Sequence, residues 1–267
     1  MDSARIADLL APFLDSGLSA AQLGQISTYV DLLIRWNSRI NLTAIRPPEE
    51  IVTRHFGESL FLARQLFHLP AAPDPTTEDP RPRSHPISTV GGHSERSRAV
   101  IAVNGAAESK APCPTTQAEP SPRAQPDRVL DIGSGAGFPA LPLKIWEPEL
   151  NLSLIESNHK KATFLREVCR ALTLTDVDVY AERAEALSAR LRNADVVTFR
   201  AVERFDQLLP LAAKFLSPTG RLAVLIGAAQ VPQLESLRLL RWQISDVPQS
   251  QARVLAVGSS SRISTKA

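Results

Sequence analysis

The sequence predicts an α/β fold: a seven-stranded, mostly parallel, doubly wound sheet with an N-terminal helical extension. From Arg128 onward, short apolar runs alternate with segments of helical periodicity, a pattern typical of parallel sheets covered by helices. The last two apolar runs are separated by residues 248–252, too few for a helix, which predicts an antiparallel hairpin at the sheet edge. A glycine-rich turn follows the first run.

The first 72 residues are predicted to be helical and to pack on the core. Ser19 and Gln22 have the spacing of a capping box, which indicates a helix start. Apolar residues follow at helical spacing and predict a buried stripe: Leu23, Ile26, Val30, Leu33 and Ile34. A second helix is expected from Pro48, whose ring suits a first helical turn, to about Phe67.

Residues 73–127 have a different composition from the rest of the chain. They hold ten of the 21 prolines and no aromatic residue. Such a segment buries too little apolar surface to offset its ordering entropy, so we expect a disordered insertion. The run 99–103 is its one candidate strand. A Pro- and Arg-rich recognition ligand is the alternative to a plain linker.

Residues 128–258 form the predicted core, and 259–267 are expected to be a flexible basic tail. Predicted strands lie at 128–132, 152–156, 177–181, 195–199, 221–226, 242–247 and 253–257. Predicted helices lie at 139–147, 158–172, 184–192, 205–215 and 231–239.

The turn after the first strand carries the strongest functional signal. Gly133, Gly135 and Gly137 allow the backbone to turn sharply against a ligand. Phe138 stands where a dinucleotide-binding turn has a small residue, which disfavours a nicotinamide-dependent reductase. Glu156 ends the next strand, where an acid accepts hydrogen bonds from ribose hydroxyls. The pattern indicates a nucleoside site, and a structural turn without ligand is the alternative.

Composition limits the range of functions. The net charge is only +2, so no strong polyelectrolyte partner follows from the total. Cys113 and Cys169 make no metal pattern and fit a reducing compartment. No apolar run is long enough to span a membrane, and the N-terminus lacks the apolar segment of a signal peptide. A cytoplasmic protein without metal is expected, and nothing demands more than a monomer.

Several separated motifs resemble one family, the bacterial 16S ribosomal RNA guanine-N7 methyltransferases, also called glucose-inhibited division protein B. The motifs cover most of the chain outside 73–127: Trp36-Asn37, Asn41-Leu-Thr43, Arg54-His55, Glu58-Ser59, Asp131 to Pro142, Glu156, Lys160-Lys161, Phe164-Leu-Arg166, Arg183-Ala-Glu185 and Arg200-Ala201. The resemblance implies the class I methyltransferase fold, S-adenosylmethionine as cofactor, and 16S ribosomal RNA or the small ribosomal subunit as partner.

The resemblance also implies site residues. Cofactor contacts are expected from Gly133, Gly135, Phe138, Glu156, Ala184, Glu185 and Arg200. Glu156 fits the ribose acid, and Ala184 and Glu185 correspond to the pair beside the adenine. Arg54 and His55 fall on the helix that lies beside the cleft in the family, and together with Lys160 and Lys161 they are candidate RNA contacts.

Methyl transfer to guanine N7 requires the site mainly to position the base against the methyl group. Guanine N7 carries a free lone pair, so we expect no essential general base and no certain catalytic residue. Arg200 is the candidate for orienting the base, because arginine commonly binds the O6 edge of guanine. A salt bridge to Glu185 or Glu203 is the alternative for Arg200, and pairing with Glu50 or Glu58 is the alternative for Arg54.

Several residues allow a second interpretation. His55 can be a packing histidine, and Lys160 and Lys161 can form a solvated helix face. The family usually has lysine where this chain has Ile226, which keeps open an inactive RNA- or ribosome-binding homologue. A methyltransferase of the same fold with another acceptor is also compatible with the motifs.

Overall fold

The computed structural model describes residues 1–67, 127–200, 205–236 and 240–259. The predictions for the insertion 73–127 and the tail 259–267 lie outside the described residues, apart from Asp127 and Ser259. Among the described helices, none combines the length and the apolar character needed to cross a membrane.

The described residues form a seven-stranded sheet in the order β3-β2-β1-β4-β5-β7-β6. Its strands are β1 (Arg128–Ile132), β2 (Asn151–Ile155), β3 (Val177–Tyr180), β4 (Ala194–Arg200), β5 (Leu216–Gly227), β6 (Arg241–Asp246) and β7 (Arg253–Ser259). Strands β1 to β5 are parallel, and β7 runs antiparallel to both of its neighbours. This confirms the predicted doubly wound sheet and its terminal hairpin.

The strand order reverses between β1 and β4, because the chain first builds outward to β3 and then crosses back. In open α/β sheets the carboxyl ends of the strands at such a reversal leave a crevice where ligands bind. The two faces of the sheet are both buried: Val129, Leu152 and Val196 belong to one core cluster. Leu130, Ile155 and Val197 belong to the second cluster. Alternate residues of each strand therefore serve opposite layers.

Strand β5 begins earlier than predicted. Leu216 pairs with Ala194, and the register then shifts so that Arg221 pairs with Val196. The intervening bulge contains Gly220, whose hypothetical Cβ would lie 2.7 Å from the carbonyl of Ala194. Sequence periodicity detects the regular part of such a strand, but it does not detect a single pair, here Leu216 with Ala194, that precedes a bulge.

The helices are α1 (Ser3–Leu10), α2 (Ala20–Asn37), α3 (Pro48–Ile51), α4 (Glu58–Phe67), α5 (Ala140–Trp146), α6 (His159–Ala171), α7 (Ala184–Leu187), α8 (Phe205–Ala213) and α9 (Val231–Ser236). Two 3-10 turns, Ala11–Phe13 and Ala228–Gln230, accompany them. Helix α7 ends at Leu187, five residues before its predicted end. Leu187 is its last buried residue, and a turn follows in which the Arg190 and Leu191 amides both donate to the Leu187 carbonyl.

The capping box at the start of α2 is confirmed. The Ser19 hydroxyl accepts from the Gln22 amide at 3.3 Å, and the Ser19 amide donates to the Gln22 side chain at 2.9 Å. The predicted apolar stripe behind it is wrong at Ile34, which is 40% exposed. The buried face instead includes Tyr29, Leu33 and Asn37, and Ile34 lies too far around the helix to reach it.

The second predicted helix contains a π-helical segment, Val52–Gly57, between α3 and α4. At its last residue, Gly57, the ring of Phe13 packs so closely that a Cβ would come within 2.6 Å of it. The wider turn changes which residues face the sheet, and such segments are frequent at functional sites. Arg54 and His55 lie within it, and Glu58 follows it directly.

Candidate functional site

The glycine-rich turn after β1 is tied to β2. Gly133, Gly135 and Gly137 have φ of 70°, 55° and 87°, a left-handed region that favours glycine. The amides of Gly133 and Ser134 both donate to the carbonyl of Ile155, at 2.8 and 3.0 Å. The turn is therefore anchored at the carboxyl ends of two neighbouring strands.

The three glycines face different surroundings. Among the described residues, a Cβ on Gly133 would have no atom within 4 Å, and one on Gly135 would meet only the Gly133 carbonyl, at 3.7 Å. A Cβ on Gly137 would overlap the Tyr29 hydroxyl and the Leu141 side chain. The first two glycines thus border open space that a ligand can enter, whereas the third packs against the protein.

Gly137→Ala is expected to lower the free energy of unfolding by about 2–4 kcal/mol, from left-handed backbone strain plus overpacking. Gly24→Ala is the matched control, because Gly24 is an exposed helical position where a Cβ meets nothing within 4 Å of described structure. Urea unfolding measures both. Equal stabilities of Gly137→Ala and the unsubstituted protein would contradict the packing argument.

Glu156 holds the turn from below. Its side chain is 7% exposed, Oε2 accepts from the Gly135 amide at 2.8 Å, and Oε1 accepts from the Asn158 amide at 2.7 Å. A carboxylate has about four acceptor positions, so about two remain for ribose hydroxyls. The ribose contact stays a prediction. Sequence reasoning missed the backbone contacts, since nothing in the residue pattern shows that the turn folds over this carboxylate.

Asp131, the acid within β1, is buried beside the same turn. Its Oδ1 accepts from the Thr198 hydroxyl at 2.7 Å, and Oδ2 has no hydrogen-bond partner within the described part of the chain. Burial raises the pKa of Asp131 to about 7, against the opposing effect of the Thr198 hydrogen bond. An unpartnered buried acceptor fits a ligand that brings a donor or a positive charge.

The ring of Phe138 lies between two rings of the N-terminal helices. It stacks on Tyr29 with centroids 5.3 Å apart and on His55 with centroids 4.7 Å apart. The Tyr29 hydroxyl donates to the carbonyl of Ala136 within the turn. Helix α2 therefore fixes the shape of the turn, and Phe138 has its backbone rather than its ring available for the predicted cofactor contact. Tyr29 follows Ile26 at helical spacing, a signal by which the sequence could have shown it.

His55 is a partly buried packing residue in the structure. Its Nε2 is 2.7 Å from the Thr43 hydroxyl, and burial, followed by nearby arginines, lowers its pKa to about 3, so the ring is neutral. Asn37 holds the loop that carries Thr43, by accepting from the Leu42 and Thr43 amides and donating to the Thr43 carbonyl. The RNA contact expected of His55 remains a prediction.

Arg200 forms a buried ion pair with an acid that the sequence did not indicate. Its Nη2 is 2.7 Å from Glu58 Oε2 and donates to the Arg54 carbonyl at 2.8 Å. Arg200 Nη1 is buried and has no hydrogen-bond partner among residues with described positions. The carboxylate that pairs with Arg200 is thus that of Glu58, and Glu203 lies outside the described residues. Burial lowers the pKa of Arg200 to about 10, which leaves it charged at neutral pH.

Two more arginines surround the same carboxylate. Arg253 Nε is 3.1 Å from Glu58 Oε2, and Arg54 Nε is 3.6 Å from Oε1. Arg54 also pairs with Glu50 at 3.4 Å, so it contacts both of the acids predicted from helical spacing. We call Glu58, Arg54, Arg200 and Arg253 the arginine cluster. Arg253 had no sequence signal, because its proximity arises only from the pairing of β7 with β5.

The remaining candidate residues follow the carboxyl ends of β2 and β3. Lys160, which is exposed, and Lys161 start α6 after β2, where the Asn158 side chain accepts from both amides. Ala184, buried, and Glu185, exposed, start α7 after β3. Their cofactor and RNA roles stay predictions. Ile226, in place of the family's usual lysine, is 4% exposed and belongs to the core.

Comparison with known proteins gives a consistent result. A family model described as rRNA small subunit methyltransferase G matches residues 22–69 and 117–259. Ribosomal RNA small subunit methyltransferase G of Chloroflexus aggregans is 36% identical over 208 residues, covering 77% of this chain and 64% of that protein. The Xylella fastidiosa (strain M23) protein of the same name is 33% identical, covering 79% and 72%. The chain thus spans somewhat less than two thirds of the Chloroflexus relative.

Among solved structures, M. jannaschii TYW2 in complex with AdoMet superposes with a TM-score of 0.45 at 18% identity. The superposition covers 52% of this chain and 70% of that one.

Proposed function

Because the chain belongs to the rRNA small subunit methyltransferase G family, we propose that it methylates N7 of a guanine in 16S ribosomal RNA, with S-adenosylmethionine as methyl donor. One observation supports this most directly. The open glycine turn above the buried Glu156 carboxylate lies where the strand order reverses, next to Arg200 at the end of β4.

The residues of the turn fit the cofactor. The surroundings of Gly133 and Gly135 leave their backbone open to a ligand, and Glu156 keeps acceptor positions for a ribose. Near the same turn, Asp131 offers an acceptor, Oδ2, that no described residue hydrogen-bonds. When bound, S-adenosylmethionine supplies a methyl group activated by a sulfonium. The chain has to hold the cofactor and exclude competing orientations of the acceptor.

The acceptor requires positioning rather than proton removal. N7 of guanine attacks through its own lone pair, so the residues near the reacting atoms need only align the base with the methyl group. Arg200 suits this role, because Glu58 and the Arg54 carbonyl fix its Nη2 side, while Nη1 has no hydrogen-bond partner in the described structure and can donate to the O6 edge of the base. We infer a monomer that acts in the cytoplasm on ribosomal RNA or on the small subunit.

Methyl transfer from labelled S-adenosylmethionine tests the function. Unmethylated 16S ribosomal RNA and intact small subunits serve as separate substrates, and the label is mapped by cleavage at 7-methylguanine. The expected result is label at one guanine N7. Label at an exocyclic amine or on protein would assign another acceptor, and RNA binding without transfer would indicate an inactive homologue.

Arg200→Lys is expected to lower kcat/KM for RNA about 10- to 100-fold, the discrimination that a well-placed guanidinium gives to a base edge. Lysine keeps the charge opposite Glu58, and the cofactor Kd is measured alongside because Arg200 is also an expected cofactor contact. A loss confined to kcat/KM for RNA assigns Arg200 to the base, whereas a raised cofactor Kd assigns it to the cofactor. The control is Arg64→Lys, since Arg64 pairs with exposed Asp15 at 2.9 Å. Unchanged kcat/KM in Arg200→Lys would remove the positioning role.

A further inference from the structure

The arginine cluster lies at the same sheet edge as the glycine turn but extends away from it. Arg200 ends β4, and Arg253 begins β7 opposite Gly227, the last residue of β5. In the order β1-β4-β5-β7, the strand that carries Arg253 is three spacings from β1, or roughly 14 Å. The cluster therefore borders the expected position of the acceptor on the side away from the cofactor turn.

Exposure increases outward through the cluster. The side chain of Glu58 is 3% exposed and that of Arg200 8%, compared with 22% for Arg253 and 45% for Arg54. The Glu58 carboxylate thus lies at the bottom of the cluster, and the guanidiniums of Arg253 and Arg54 form a rim that is open to solvent. A ligand can approach the rim without displacing Glu58.

The cluster carries more positive than negative charge. Three guanidiniums surround one buried carboxylate, and the second acid, Glu50, contacts only Arg54 among the three, from a side chain that is 43% exposed. His55 adjoins the cluster as a neutral ring. Like charges gathered in a partly buried place repel one another, and a bound anion would relieve that repulsion.

We propose that Arg54 and Arg253 bind a backbone phosphate of the RNA next to the guanine that Arg200 positions, with Glu58 holding the three guanidiniums in place. This inference rests on the proposed function. The planar fork of arginine matches phosphate oxygens. Bases recognised in RNA are commonly unstacked from single-stranded segments, so the phosphate of such a nucleotide travels with its base into the site. Arg253 thereby becomes an RNA-binding residue.

The salt dependence of RNA binding measures this contact. Each phosphate neutralised contributes about 0.7–0.9 to the slope of log K against log salt concentration. Because the two arginines share one phosphate, Arg253→Gln and Arg54→Gln should each remove part of that amount, and the double variant should remove about the whole of it. The affinity for S-adenosylmethionine should stay at the value of the unsubstituted protein, because the cluster extends away from the glycine turn. Arg253→Lys, which keeps the charge, should recover most of the slope.

Arg241→Gln is the matched control for Arg253→Gln. Arg241 is exposed, belongs to the same hairpin and pairs with Ser259 at the opposite end of β7, so its loss changes net charge equally without touching the cluster. Arg54 is on the protein surface, and its substitution tests the contact even if Arg253→Gln does not fold.

Two results would overturn the phosphate site. One is a slope in either folded variant equal to that of Arg241→Gln, and the second is a weakened cofactor affinity, which would assign the cluster to the cofactor carboxylate. Binding slopes need no turnover. Failure of the phosphate site is therefore distinguishable from failure of the proposed function, which shows itself as the absence of methyl transfer in the unsubstituted protein.

Discussion

Glu156→Ala should weaken S-adenosylmethionine binding roughly 10³-fold, about 4 kcal/mol. Hydrogen bonds to a charged acceptor contribute about 1.5–3 kcal/mol each, and two ribose hydroxyls are expected to use this carboxylate. The substitution also releases the Gly135 and Asn158 amides, which lie 2.8 and 2.7 Å from its oxygens. The turn would then no longer be held in the shape that admits the ligand.

Titration calorimetry measures the cofactor affinity of this variant. The control is Glu149→Ala, because Glu149 is exposed and lies just before β2. It is therefore at the amino ends of the parallel strands, whereas the glycine turn is at their carboxyl ends. Glu156→Gln should fall between the two, since it keeps one acceptor oxygen but turns an amino group toward a backbone donor. A Kd for Glu156→Ala within about threefold of the control would exclude the ribose assignment, since even one lost charged hydrogen bond costs more.

Glu58→Gln should lower the free energy of unfolding by about 3–5 kcal/mol, the usual cost of removing one member of a buried ion pair. The substitution preserves the shape of the side chain but removes the counter-charge that the described structure gives Arg200, which is 8% exposed, and Arg253. Arg54 keeps only its exposed partner Glu50. Urea denaturation monitored by circular dichroism gives the value. The effect exceeds that of any surface ion pair in the same region.

Glu50→Gln provides the comparison for Glu58→Gln. Glu50 contacts the same Arg54, at 3.4 Å, but it is 43% exposed and water screens the pair. Its loss should cost less than about 1 kcal/mol. If both variants lose the same stability, the burial of Glu58 has no energetic consequence, and Glu58 is not the buried ion-pair partner that stabilises the arginine cluster.

The fold could be predicted from the sequence because its signals are local. Each β-strand of the parallel sheet is a short apolar run, and the capping box at Ser19 marks a helix start within four residues. Errors occur where the local pattern and the packing disagree. Ile34 is predicted to lie on the buried face of its helix but is 40% exposed, and no apolar spacing indicates the π-helical segment Val52–Gly57.

The candidate site divides in the same way. The glycine turn and Glu156 follow from residue types at the ends of adjacent strands, which a parallel sheet must bring together. The pairing of Arg200 with Glu58 could not be predicted, since 142 positions separate the two residues and no rule of spacing links them. Arg253 becomes visible only through the antiparallel register of β7. Long-range charge partners need coordinates.

The stacking of Phe138 between Tyr29 and His55 has a consequence for how this protein can be divided. A fragment that begins at residue 127 would retain the seven described strands, but it would expose the ring of Phe138 and lack the Tyr29 hydroxyl that donates to the Ala136 carbonyl. The amino-terminal helices thus help to shape the glycine-rich turn at which we propose that the cofactor binds.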